Sequence, residues 1–160
     1  MERNGKQGFI DKSGKEVIPL KYDMVLDFKE GMASVSSGRE HMFIDKSGNV
    51  VFTLGKLTAN SFSEGLAHVV DLNKDGFIQG YIDKSGHLVI PLKYELANFF
   101  SEGLAAVELG GKFGFIDKRG KEVIPFKYDA AESFFQGLAK VTVGKNYGYI
   151  GADGTEYFEP

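Results

Sequence analysis

Carboxylates recur along the chain at a regular interval. The motif Asp-Lys-Ser-Gly occurs three times and Asp-Lys-Arg-Gly once, starting at Asp11, Asp45, Asp83 and Asp117, which are 34, 38 and 34 residues apart. Such a row could bind Ca²⁺, but that ion takes six or more oxygen ligands, and the adjacent lysine opposes a cation. The aspartate can instead cap a turn whose glycine takes the left-handed position. We therefore interpret the motif as a repeated turn and predict no metal site.

Other residues that could act in catalysis do not form a recognisable set. The histidines His41, His68 and His87 fall at different phases of the repeat. The two Ser-Glu-Gly segments, at Ser63 and Ser101, do not match a nucleophile elbow, which needs Gly-x-Ser-x-Gly on a strand, turn and helix. The chain has no cysteine, which excludes thiolate metal sites and cysteine nucleophiles. We predict that the protein is not an enzyme and uses no cofactor.

A lysine precedes a tyrosine in the segment Pro-x-Lys-Tyr, which occurs three times. Its lysines could present a positive charge to a small anionic ligand; they are Lys21, Lys93 and Lys127. The alternative is that the tyrosine packs in the core while the lysine stays in solvent.

Short β-strands must position all of these residues. Leu104–Leu109 alternates apolar and other residues, as a half-buried strand does, and Gly110-Gly111-Lys112 is a hairpin signal. Phe113–Asp117 predicts a second strand, and Lys121–Ile124 a third, which we expect Pro125 to end because proline cannot donate to a ladder. The following segment, up to Phe134, is a connector that could hold one helical turn.

The whole chain repeats this pattern about every 34 residues. A second motif, Phe-x-Glu-Gly-x-Ala-x-Val, begins at Phe28, Phe62 and Phe100, and at Phe134 with Gln136 replacing Glu. Its glycines should need positive φ or a close backbone approach; they are Gly31, Gly65, Gly103 and Gly137. Three short strands cannot bury an apolar face alone, so neighbouring repeats must stack.

We predict one all-β domain of three-stranded antiparallel meanders in an open twisted array. The alternative is a five-bladed, propeller-like ring. The array would hold a partial repeat, 1–27, and full repeats at 28–61, 62–99, 100–133 and 134–160.

Composition narrows the classes of partner. Of the 160 residues 42% are hydrophobic, and the net charge is −3, so no basic footprint predicts nucleic-acid binding. No apolar stretch approaches the ~20 residues of a membrane span, and residues 1–6 lack the apolar core of a signal peptide. If Met1 is the native start, the cytoplasm is the expected location.

The segment Gly111–Asp129, GKFGFIDKRGKEVIPFKYD, resembles the bacterial WG (or KWG) repeat family. With Phe-x-Glu-Gly-Leu-Ala-x-Val, the resemblance covers nearly the whole chain. The Trp that names the family is absent from every copy; its positions hold Gln7, His41, Gln79, Phe113 and Tyr147. The resemblance implies an all-β repeat scaffold and no catalytic residue.

Function is expected where the copies differ. Between the fixed Ala and Val of the first strand lie Ser34, His68, Ala106 and Lys140, which strand alternation predicts to point outward. The candidate residues for binding a partner are His68, Gln79, Phe113, Lys140 and Tyr147. We predict a non-enzymatic scaffold, of bacterial or phage type, that binds a protein partner through an exposed β surface. The alternative is capture of a small anionic ligand, such as a nucleotide, between repeats.

Overall fold

Five small antiparallel sheets form the protein. The computed structural model describes residues 1–72 and 78–158, and among these residues all regular elements are strands. The first sheet contains β1 (Glu2–Arg3), β2 (Lys6–Ile10) and β3 (Glu16–Tyr22). The second contains β4 (Met24–Val25), β5 (Met32–Ser37), β6 (Glu40–Asp45) and β7 (Val50–Thr53).

The remaining sheets repeat the four-stranded order. The third contains β8 (Leu57–Ala59), β9 (Ala67–Asp71), β10 (Ile78–Ile82) and β11 (Leu88–Tyr94). The fourth contains β12 (Leu96–Ala97), β13 (Leu104–Leu109), β14 (Lys112–Asp117) and β15 (Glu122–Tyr128). The fifth contains β16 (Ala130–Ala131), β17 (Leu138–Val143), β18 (Asn146–Gly151) and β19 (Glu156–Phe158). The segment Asn73–Gly76, which makes the third repeat longer than its neighbours, lies outside the described residues.

The connector is a short strand and not a helical turn. After β15, the backbone N–H of Asp129 donates to the carbonyl of Thr142, and Glu132 donates to Lys140. β16 therefore pairs with β17, and the same pairing gives the second to fifth sheets four strands where the sequence analysis predicts three.

Proline lies within the last strand of three sheets. The expectation that Pro125 ends its strand was therefore wrong. Phe113 pairs with Tyr128 and Phe115 with Ile124, so Pro125–Lys127 form a bulge opposite Gly114. An edge strand tolerates proline because the missing N–H would face outward. A Cβ on Gly114 would lie 2.8 Å from the carbonyl oxygen of Ile124, so this position requires glycine.

Both repeated turns are closed as the sequence predicts. In Phe-x-Glu-Gly, the glycines have φ between 82° and 91° and the preceding Glu or Gln residues between 50° and 54°, which suits a tight two-residue hairpin. In the Asp-Lys-Ser-Gly turn, the carboxylate of Asp11 accepts hydrogen bonds from the backbone of Ser13 and Lys15. The hydroxyl of Ser13 also donates to it, and these bonds hold the pKa of Asp11 below its usual range.

The sheets stack face to face. On one face of the fourth sheet, Ala105 and Val107 pack with Tyr81 and Ile90 of the third sheet. The opposite face packs against the fifth sheet in a second cluster, which includes Ala106, Phe115, Phe134, Ala139 and Ile150. Each sheet contacts the next in chain order, and none is closed into a barrel. The protein is thus a tandem array of meanders.

Polar contacts join consecutive sheets at the Glu-Gly turn. The carboxylate of Glu64 accepts from the N–H of Gly103 in the next repeat, and Lys118 lies 3.1 Å from it. Glu30 makes the same contacts with Gly65 and Lys84. The repeated glutamate is therefore part of the scaffold.

Candidate binding surface

Three of the four residues predicted to point outward are buried. Ser34, His68 and Ala106 are at most 8% exposed, and only Lys140 is partly open to solvent. Strand alternation itself holds, but each inner sheet has a neighbour on both faces. The prediction of exposure was wrong for these three residues because it assumed that one face of every sheet meets solvent.

His68 lies between the third and fourth sheets. Its ring contacts Phe99 edge-on, with centroids 5.1 Å apart, and its Nε2 meets the side-chain amide of Asn60. Its Nδ1 has no partner among the described residues. Burial lowers the pKa of His68 to about 4, so the ring is neutral at pH 7. His68 is therefore a packing residue and not part of an exposed surface.

The positions of the missing Trp face the next sheet. Gln79 is buried; its Oε1 accepts from the N–H of Ala97, and its Nε2 donates to the carbonyl of Glu95. Phe113 is half-buried and packs on the cluster between the fourth and fifth sheets. The interpretation of Gln79 and Phe113 as surface residues was therefore wrong, because the first short strand of the following sheet covers this position.

The structure does not bring together the three lysines of Pro-x-Lys-Tyr. Lys21, Lys93 and Lys127 lie on the last strands of three different sheets. Each Nζ lies 5.0 to 5.3 Å from the ring centroid of the tyrosine that follows it. Lys127 also pairs with Glu156 at 2.8 Å. The tyrosines are buried, as expected from the packing interpretation of this segment.

Lys140 and Tyr147 do meet, on the outer face of the fifth sheet. The Nζ of Lys140 lies 4.9 Å from the centroid of the Tyr147 ring. In the ladder Lys140 pairs with Tyr149, which pairs with Tyr157, so these three side chains form a row. Leu138 is one ladder step of the same face away. We name this surface the end face: Leu138, Lys140, Tyr147, Tyr149 and Tyr157.

The end face exposes positions that the inner sheets bury. Leu138 is 41% exposed and Tyr149 44%, whereas Leu104 and Phe115, their counterparts in the fourth sheet, are 7% and 0% exposed. Tyr147 and Tyr157 are 62% and 56% exposed. A groove of about 860 Å³ runs along them and is bordered also by Lys145 and Asn146.

Sequence reasoning missed Tyr149, Tyr157 and Leu138, although a signal was present. The fourth copy replaces residues that join one repeat to the next. Ser63 and Ser101 donate to the carbonyls of Phe100 and Phe134, but Phe135 stands at this position in the last copy. Gln136 likewise replaces the linking glutamate. Together, these two replacements indicate that no further described sheet packs on the fifth sheet.

The described residues contain no group of three or more His, Asp or Glu side chains placed to hold a metal ion. No helix among them is long and apolar enough to cross a membrane.

Comparison with known proteins identifies one family. The family model described as WG containing repeat matches residues 8–38, 80–113 and 113–147, more than half of the chain. The unmatched stretch between the first two matches contains Met42, where the other sheets have glycine, and lacks Pro-x-Lys-Tyr. No curated protein matches the chain.

Proposed function

Because the chain belongs to the family of WG containing repeats, we propose that it is a non-enzymatic scaffold that binds a protein partner through the end face. A repeat-domain family supports a scaffold role. The repeated polar residues already bind neighbouring sheets, and we place the partner surface on the open outer face of the fifth sheet.

The exposure of three tyrosines on one face carries this proposal. Tyr147, Tyr149 and Tyr157 are each more than 40% exposed on adjoining strands. Tyrosine combines a large apolar ring with a polar hydroxyl, and it is enriched in protein interfaces and at their energetic centres. A contiguous exposed apolar patch of this kind marks an interaction site more often than isolated surface residues do.

Lys140 limits what the partner can be. Its ammonium lies over the ring of Tyr147 and 3.9 Å from Glu132. In the third and fourth sheets this position is covered by the next sheet, and an ammonium without a partner there would cost several kcal/mol, roughly 3 to 5. The best partner is therefore a protein surface that places apolar groups on the tyrosines and a carboxylate near Lys140.

The experiment begins with a photo-crosslinking residue at Tyr157, used to capture a partner whose identity mass spectrometry then gives. The purified partner is titrated against the parent and against the double variant Tyr147→Ser, Tyr149→Ser. We expect at least a tenfold loss of affinity, because aromatic residues at the centre of an interface are commonly hot spots. The matched control is Lys46→Ala, an exposed turn residue of the second sheet, which should bind as the parent does.

Equal binding by the parent and the double tyrosine variant would place the interface elsewhere. The rival function, capture of an anionic ligand at the sheet boundaries, is supported by the recurrence of the Lys–Tyr pair at Lys21, Lys93 and Lys127. A triple Ala variant of these lysines tests it directly. Loss of binding in the triple lysine variant, with full binding by the double tyrosine variant, would favour capture of an anionic ligand.

A further inference from the structure

The boundary between the second and third sheets differs from two other sheet boundaries in the hydrogen bonding of one backbone N–H. Where the first sheet meets the second, the N–H of Val25 donates to Oε1 of Gln7 at 3.0 Å. Where the third meets the fourth, Ala97 donates to Gln79 at the same distance. A carboxamide from the preceding sheet therefore holds the short first strand of the following one.

The corresponding N–H at the second boundary belongs to Ala59. Ala59 pairs with Val69 as Ala97 pairs with Val107. The carbonyl of Ala59 accepts from the hydroxyl of Ser34 in the second sheet, so the polar backbone of this residue points away from β9 and toward that sheet. His41 occupies the position in the second sheet that corresponds to Gln7 and Gln79 in the first and third. Among the described residues, no side chain of the second sheet accepts from Ala59 N–H.

A cavity lies at this place. It has a volume of about 370 Å³ and is lined on its apolar side by Met24, Leu26 and Leu72. Small-molecule sites fall in this size range and combine apolar walls with a few polar groups. Ser36 also lines the cavity and is largely buried, so its hydroxyl is a polar group of the cavity wall. None of the described residues that line it is Asp, Glu, Lys or Arg.

We propose that this cavity binds a small neutral molecule that carries an amide group on an apolar body. The amide carbonyl accepts from Ala59 N–H, and the amide N–H donates to the hydroxyl of Ser36. The apolar body packs on Leu26 and Leu72. The ligand thus supplies the carboxamide that Gln7 and Gln79 supply at their own boundaries, and the absence of a charged side chain among the described lining residues favours a neutral ligand over an ion.

The test uses benzamide as the probe, with toluene and benzoate as comparisons. Titration of isotope-labelled protein, followed by NMR, should shift the backbone amide of Ala59 with benzamide. Toluene and benzoate should each bind at least fivefold more weakly, because toluene leaves the N–H unpaired and benzoate brings a charge. Equal binding of toluene and benzamide would overturn the amide contact, and no shift of Ala59 with benzamide would overturn the site.

A variant supplies the amide from the protein. His41→Gln should place a carboxamide oxygen that accepts from Ala59 N–H, raise the melting temperature and weaken benzamide binding at least tenfold. His87→Gln, at an exposed histidine, is the matched control and should bind as the parent does. Unchanged benzamide binding in His41→Gln would contradict the proposal.

A second pair of variants covers the case in which His41→Gln does not fold. Thr58→Trp should fill the cavity and abolish binding, whereas Leu96→Trp, at the same ladder position in the fourth sheet, should keep it. Retained binding in Thr58→Trp would overturn the proposal. The double tyrosine variant of the end face should bind benzamide normally, so failure of this site and failure of the proposed function are separate outcomes.

Discussion

The fourth and fifth sheets have the same strand order and the same register between their two long central strands but differ in what covers them. Leu104 pairs with Asp117 in one, and Leu138 with Gly151 in the other, and the ladder continues identically to the hairpin. The fourth sheet is covered on both faces, and the fifth on one. The difference shows that the exposure of a strand residue in an array depends on the neighbouring sheet as well as on alternation.

Three residues at one ladder position illustrate this dependence. His68, Ala106 and Lys140 all lie between the fixed Ala and Val of the first long strand. His68 and Ala106 are buried under the following sheet, while Lys140 is half-exposed on the end face. Each residue type agrees with its surroundings: a small residue or a neutral ring is buried inside the array, and a charged residue is exposed outside it.

The largest effect is expected when the lysine of the fifth sheet is placed in the fourth. Ala106 is fully buried, so Ala106→Lys would both overpack the boundary and bury an unpaired ammonium. We expect a loss of at least about 4 kcal/mol in the free energy of unfolding. Urea unfolding followed by circular dichroism measures it. A loss below about 1 kcal/mol would show that the fifth sheet does not cover this position.

The next effect concerns pH and His68. Its pKa falls from 6.5 to about 4 on folding because of burial, so protons bind the unfolded chain preferentially between these values. Stability is therefore full above about pH 6.5 and should fall by roughly 3 kcal/mol as the pH drops to 4. Unfolding midpoints across this range measure the slope. In His68→Gln, the fall in stability above about pH 5 should disappear. If the slope in that range is unchanged, groups other than His68 cause it.

The third effect is steric. Gly114→Ala would place a methyl group 2.8 Å from the carbonyl of Ile124, and relief requires movement of the bulge. The expected loss is about 2 kcal/mol, measured by urea unfolding. In the second sheet Met42 pairs with Thr53 and Phe43 with Phe52, and the register shift falls after Phe43, so no bulge lies opposite Met42. If Gly114→Ala left the free energy of unfolding unchanged, the steric contact with Ile124 would not explain the glycine.

The repeat, its turns and its buried tyrosines could be predicted from sequence because each depends on local chemistry. Gly103 needs positive φ whatever its surroundings, and Asp117 caps its own turn. The short strand β12 could not be predicted, because Leu96 and Ala97 form two ladder pairs too short to give a periodic signal. The bulge at Pro125 was missed for a related reason: proline ends most strands but is tolerated at an edge.

The candidate site was harder to predict than the fold. Lys140 and Tyr147 were identified because they vary between copies, and the same criterion also selected His68 and Gln79, which are buried. Variation at one position has two causes, solvent exposure and a different neighbour, and a single sequence does not separate them. The replacement of linking residues in the last copy, such as Gln136 for Glu, is the better signal.

A smaller effect, equal in the two sheets, is expected at the Glu-Gly turn. Gly103 and Gly137 have φ of 84° and 82°, and an added Cβ would have no other atom within 4 Å. Alanine at either position should therefore cost about 1 kcal/mol, the strain of a left-handed backbone. Urea unfolding of the two variants compares them. A clearly larger loss for Gly103→Ala would mean that sheet stacking and not local backbone strain sets the cost.

The smallest effect is expected at Lys140 itself. Lys140→Ala removes an ion pair of 3.9 Å with Glu132 and a contact with the Tyr147 ring, both open to solvent, and such contacts contribute little. The free energy of unfolding should change by at most about 0.5 kcal/mol, which urea unfolding can resolve beside Ala106→Lys. Because the two substitutions exchange the same pair of residues in opposite directions at one ladder position, the sum of the two stability losses isolates the contribution of the covering sheet. A loss in Lys140→Ala comparable to that in Ala106→Lys would mean that the end face is covered in solution, and the partner surface would then have to lie elsewhere.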